Sequence, residues 1–163
     1  MMRLNAYATT NLDMQGFGDL SPEEKSRNAL ALRFTPSIGT ALVLVGLMVQ
    51  SPPWLAAMAL VALSGVLLPN GMVIDVTYNY VVRHLIGAPR LPSTPAPRRF
   101  SYLLSAILLA SSALALSFGE PVLGLILGGL VVLGGATLSI TLWCLGSWIY
   151  WTLRSFVSAS WTR

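Results

Sequence analysis

The stretch of the chain best suited to side-chain chemistry is Trp143-Cys144-Leu145-Gly146-Ser147-Trp148-Ile149-Tyr150. Cys144 is the single cysteine, which rules out an internal disulfide and a cysteine-based metal cluster within the chain. Thiol chemistry needs an accessible thiolate of lowered pKa and usually a resolving thiol. Ser147 stands where a Cys-x-x-Cys pair would place its second sulfur. By residue type alone, Cys144 reads as a small buried hydrophobe at a helix end. His84, the single histidine, has the chemistry to ligate a haem iron or a chlorophyll magnesium. It sits beside Arg83 with no second histidine, so contact with lipid headgroups is the better reading. Glu120 falls in a Gly-Glu-Pro turn, where a solvated charge is the default. A glycine-rich phosphate loop, a Ser/His/Asp set and convergent carboxylates are all absent from the sequence. It requires no cofactor and offers no metal site.

The elements that carry these residues are apolar. Of the 163 residues, 55% are hydrophobic and 10% charged, and the mean hydropathy is +0.69. A soluble domain carries about 25% charged residues, so this chain cannot cover a water-facing surface. Its apolar residues also come in runs, not in the stripes of an amphipathic soluble helix. The composition specifies a membrane protein.

Residues 1–21 read as a polar cytoplasmic tail with neither an apolar core nor a cleavage site, hence not a signal peptide. Ser21-Pro22-Glu23-Glu24 is a capping-box start for a short cytoplasmic helix over 22–33. Residues 34–71 form the first predicted transmembrane hairpin, with runs from Phe34 to Gln50 and from Trp54 to Leu68. Pro36 either begins the first of these helices or kinks a longer one. Ser51-Pro52-Pro53 and Pro69-Asn70-Gly71 are breakers. Residues 72–99 combine an amphipathic interfacial helix to Ile86 with a proline-rich cytoplasmic linker. The second hairpin, 100–155, runs from Phe100 to Ser117 and from Val122 to Trp143, and continues into an aromatic belt of Trp143, Trp148, Tyr150 and Trp151. Residues 156–163 are a tail. Arg33-Phe34 and Arg99-Phe100 open the two hairpins alike, consistent with an internal duplication.

The expected architecture is all-α, with four transmembrane helices in two hairpins and one interfacial helix. Lysine and arginine occur only in the N-terminal region, the central loop and the C-terminal segment, never in the two short turns. The positive-inside rule then puts both termini and the central loop in the cytoplasm of a bacterial inner-membrane protein. This orientation and anionic headgroups account for the net charge of +4, and nucleic acid is not an expected partner. Gly124 and Gly128 form a GxxxG, extended by Gly135, and the third span offers Ser101, Ser105 and Ser112. Such small residues allow close helix packing, within the chain or against a partner.

Cys144-Leu145-Gly146-Ser147-x-x-Tyr150, together with Pro97-Arg98-Arg99-Phe100, resembles an uncharacterised bacterial integral-membrane family of unknown function. Its members show Pro-Lys/Arg-Arg-Phe, then two spans, then Cys-Leu-Gly-Cys-x-x-Tyr. The resemblance extends over roughly residues 28 to 155 and marks Arg99, Phe100, Cys144, Gly146, Ser147 and Tyr150. It implies no established activity. The paired cysteines of the family imply membrane thiol or sulfur handling, and here Ser147 replaces the second of them.

No ionisable residue lies in the middle of a span, which argues against a pump or ion-coupled transporter. The leading expectation is a non-catalytic accessory or structural subunit of a larger membrane complex, photosynthetic or respiratory, in contact with lipid and other integral subunits. One alternative is a thiol or sulfur-handling protein using Cys144. Another is a small-molecule or lipid-binding protein using the cleft between the hairpins.

Overall fold

The computed structural model describes residues 4–68 and 72–160, with side chains to 157. Arg3, Arg163 and the predicted Pro69-Asn70-Gly71 turn fall outside the described residues. Among those described, all regular structure is helical: α1 (Ala6–Leu12), α2 (Pro22–Met48), α3 (Pro52–Leu67), α4 (Val73–Thr77), α5 (Arg83–Ile86), α6 (Ala96–Ser117), α7 (Pro121–Thr141) and α8 (Leu145–Ser160). A π-turn, Asp13–Phe17, extends α1, and another, Tyr78–Val82, joins α4 to α5. Three helices, α2, α6 and α7, are long and apolar enough to cross a membrane. The 16 residues of α3 rise about 24 Å, less than the roughly 30 Å of a hydrocarbon core.

The capping box forms as read: Ser21 N donates to Glu24 Oε2 at 2.9 Å, and Glu24 N donates to Ser21 Oγ at 3.3 Å. The helix it opens is longer than expected. In place of a short helix over 22–33 followed by a span, one helix of 27 residues runs through Pro36. Proline has no N–H, so the carbonyl of Leu32, four residues earlier, loses its helical donor. Arg98 supplies one, with Nη2 at 3.4 Å from that oxygen. A contact from across the fold thus replaces the bond the proline removes.

The predicted N-terminal tail is also folded. Asn5 caps α1 by accepting from Ala8 N at 2.8 Å, and Leu12 and Phe17 are buried in a cluster with Leu32, Tyr78, Leu91 and Leu142. Gly16 takes φ +94° to bring the chain against Pro95 and Pro97. Lys25 Nζ lies 2.6 Å from Asp13 Oδ1 and pins this segment to α2. The linker is extended as expected, yet Leu91 and Thr94 are buried, and Leu91 N donates to Asn79 Oδ1 at 2.9 Å.

The last span is shorter than expected. It stops at Thr141 because Leu142 adopts the left-handed region at φ +59°. The aromatic segment therefore forms a separate helix, α8, not a continuation of α7. Asn11 Nδ2 donates to Thr141 O at 2.9 Å and Gln15 Nε2 to Leu142 O at 2.7 Å, satisfying carbonyls that the helix end leaves open. Leu142 is fully buried, so Gln15→Ala leaves its carbonyl without a donor or water. We expect a loss of about 1–2 kcal/mol, read as a lowered unfolding midpoint in detergent; an unchanged midpoint would remove this clamp from the account.

Helix α3 packs on α6 and α2 on α7, while α6 and α7 pack on each other. Small residues set these approaches. A Cβ at Gly128 would collide with Leu47 and Ser112, and one at Gly135 with Thr40. Gly124 lies against Leu116, and its carbonyl accepts from Ser112 Oγ at 2.7 Å. At the end with the tight turns, Val43, Leu47, Leu55, Ala59, Leu109 and Ala113 close the bundle. The other, basic end gathers α1, α4, α5 and α8.

Candidate functional site

Between these two ends lies a half-open cavity of about 250 Å³, lined by α2, α3, α4, α6, α7 and the start of α8. Its walls are aliphatic along most of their length, with Val43, Met58, Val61, Leu109, Leu130 and Val131 among them. Polar groups are concentrated at the basic end, where Arg98, Tyr102, Ser101, Thr35 and Cys144 reach it. Ser105, one of the expected small packing residues, lines the wall instead.

Arg98 and Asp75 organise the polar end. Both are almost wholly buried, at 3% and 4% exposure. Asp75 lies in α4 and accepts from Thr35 Oγ1, from Met72 N at 3.2 Å and from the Tyr102 hydroxyl at 3.5 Å. Arg98 Nε donates to the same hydroxyl at 3.0 Å. Tyr102 therefore bridges the two charges, and its ring lies 5.9 Å from the guanidinium carbon. Phe17 offers its ring from the other side at 5.7 Å. Buried charges persist only when bonded and compensated. Asp75 has three donors; Arg98 has two bonds, one of them long.

The two short motifs meet beside this cluster. Ser101 Oγ lies 3.0 Å from Cys144 Sγ and 3.4 Å from Ser147 Oγ. Gly146 packs on Ser101, where an added Cβ would stand 2.8 Å from the Ser101 Cα. The rings of Phe100 and Tyr150 are 5.9 Å apart. The profile of the family described as Domain of unknown function (DUF4395) matches residues 28–155. The chain belongs to that family. No curated protein and no solved structure matches it. The DUF4395 stretch contains the cavity, the Arg98–Tyr102–Asp75 cluster and both motifs, whereas α1 and its π-turn precede it.

Within the DUF4395 fold the expected site residues separate. Phe100, Ser101, Cys144, Gly146, Ser147 and Tyr150 converge at the junction of α6 and α8, whereas Arg99 Nε donates to the linker carbonyl of Thr94 at 3.1 Å. Gly124, Gly128, Gly135 and Ser112 pack the chain's own helices. Exposed His84 is not among the cavity residues. Thr35, Asp75, Arg98 and Tyr102 were missed as a group. The one sequence signal for it is a lone carboxylate in the apolar stretch Met-Val-Ile-Asp-Val-Thr.

Cys144 is 6% exposed and Ser147 fully buried, so the thiol faces a hydroxyl and not a second sulfur. Alkylation of Cys144 in intact membranes is expected to be slow and to accelerate at least about tenfold after denaturation, because reactivity needs an accessible thiolate. Fast labelling in the native protein would contradict this burial.

Proposed function

We propose that this DUF4395 protein holds a small amphipathic molecule in the membrane, non-catalytically, with the molecule's apolar part between the hairpins and its polar part at the basic end. The observation that carries the reading is the cavity itself: about 250 Å³, aliphatic along its walls and polar at one end. An apolar void of 150 Å³ already accepts benzene. Binding sites are commonly of this kind, apolar with a few placed polar groups.

The same reading has the chain cross a bacterial cytoplasmic membrane four times, with α3 as a short fourth span. The bilayer would thin locally at α3, or neighbouring helices would supply the missing length. The basic end faces the cytoplasm, where arginines meet anionic headgroups, and the exposed Trp148, Trp151 and Phe156 of α8 enter the interface.

Membership of a larger complex is a second reading, supported by spans without ionisable residues and by the aromatic belt. Gly124, Gly128, Gly135 and Ser112 are packed internally, and residues 6–17 fold onto the chain's own core. The cavity reading needs no other subunit.

Its test is solvent extraction and mass spectrometry of the protein purified from native membranes in mild detergent. A near-stoichiometric amphipath in the wild type, depleted in the cavity-filling variant Ser105→Trp, is the expected result. Equal content in both, with the variant folded, would defeat the proposal.

A further inference from the structure

The cavity's charge is one-sided. Among the described residues that line it there is one permanent charge, the guanidinium of Arg98, and no carboxylate. Asp75, which compensates that charge, stands behind Tyr102 and is not part of the lining. An arginine presents five N–H donors in a planar fork. Here Nε is given to Tyr102 at 3.0 Å and Nη2 makes the 3.4 Å contact with the Leu32 carbonyl, two bonds for five donors. Arg98 is nevertheless 97% withdrawn from solvent. A buried cation with donors left over calls for an acceptor, and a charged one most of all.

The backbone adds to this field. Arg98 lies in the first turn of α6, a helix of 22 residues whose N-terminus has no side-chain cap. Its dipole places partial positive charge at the same end of the cavity. Leu145 and Gly146, which open α8, also line the cavity, and first-turn N–H groups of a helix lack internal acceptors. The hydroxyl protons of Ser101 and Tyr102 are already given to the Pro97 carbonyl, at 3.1 Å, and to Asp75, which leaves the guanidinium and these amides as the donors at this end.

We infer that the ligand's polar part is an anionic oxygen group, a carboxylate or phosphate on a single apolar chain, bound by Arg98. The inference rests on the cavity reading and specifies its ligand. The two head groups share one chemistry: both offer paired oxygens that match the guanidinium fork, whether the source is a free fatty acid or a single-chain phospholipid.

The test uses the full-length protein in phosphatidylcholine nanodiscs and four photo-crosslinking probes. Each carries the same twelve-carbon chain with a terminal diazirine; the heads are carboxylate, phosphate, alcohol and trimethylammonium. Crosslinks are mapped by mass spectrometry. The acid or the phosphate is expected to label the lining of α3 and α6 at concentrations at least about tenfold below the alcohol, a preference of about 1.4 kcal/mol, and the ammonium probe to leave it unlabelled. The order of acid and phosphate distinguishes a fatty acid from a lipid phosphate. In Arg98→Gln the acid and the alcohol should become equivalent, whereas Arg98→Lys should retain a preference for the acid. Equal labelling by all four heads in the wild type would overturn the anionic head group and leave the cavity reading intact. Absence of crosslinks from the lining would defeat both.

Discussion

Replacing Asp75 with alanine should destabilise the protein by about 3–5 kcal/mol, the scale expected when one member of a buried charged set is removed. The reasoning starts from the bonds. Asp75 accepts from Thr35, from the Met72 amide and from Tyr102, and all three donors lose their acceptor at once. Arg98 then remains buried with its charge uncompensated, because Asp75 is linked to it through the Tyr102 bridge. The unfolding midpoint should fall on the order of 10 °C, given a few degrees per kcal/mol for a chain of this size. Asp75→Asn should lose less, since its carbonyl can still accept from one donor. The decisive variant is the double one. Adding Arg98→Met to Asp75→Ala removes the uncompensated cation, so the pair should be more stable than the sum of the two single effects by at least about 1 kcal/mol. Strict additivity would mean that the two charges do not form one unit.

Gly128→Leu should have the second large effect. Its Cα faces the Leu47 side chain and the Ser112 hydroxyl, and that hydroxyl donates to the Gly124 carbonyl at 2.7 Å. A leucine there has to push α7 away from both α2 and α6 and sever this bond. Overpacking costs about 1–3 kcal/mol in well-packed cores and occasionally more; contact with two neighbouring helices places this site at the upper end. Gly129 is the control. It adjoins Gly128 in sequence but nothing lies within 4 Å of its would-be Cβ. Gly129→Ala should therefore be neutral or stabilising by up to about 1 kcal/mol, the ordinary gain in a helix interior. Similar losses at both positions, measured by denaturant titration in the same detergent, would show that α7 does not present Gly128 to the bundle.

These two sites differ in how far the sequence announces them. Gly128 belongs to a GxxxG within a long apolar run, and close packing of that face follows from residue size alone. Asp75 is harder to read: its partners lie at Thr35 and Tyr102, on helices whose relative placement no local pattern records. The merging of the short helix with the first span has a similar origin. Pro36 argues for a boundary, and the helix continues because Arg98, from α6, reaches the carbonyl the proline frees.

The break at Leu142 is invisible locally, since a leucine carries no preference for the left-handed region. Bonds from Asn11 and Gln15 support the chain there. Those residues in turn belong to a segment, Ala6 to Phe17, whose few apolar residues follow no helical period, and its fold depends on the helix end that it covers. The aromatic residues of 143–151 do advertise an interface, but not that they occupy a separate helix. Motif residues such as Phe100, Gly146 and Tyr150 could be picked out from type and spacing, whereas the contacts of Phe100 with Tyr150 and of Gly146 with Ser101 required the packing of α8 against α6.

An experimental density map would decide whether the space between α2, α3, α6 and α7 holds a ligand. The protein would be imaged in nanodiscs of native lipid, with a bound antibody fragment to add mass. The expected map holds elongated density that is not protein, running between α2, α3, α6 and α7, with its head within hydrogen-bond distance of Arg98. A map in which the four helices close on one another and leave no such space would contradict the account.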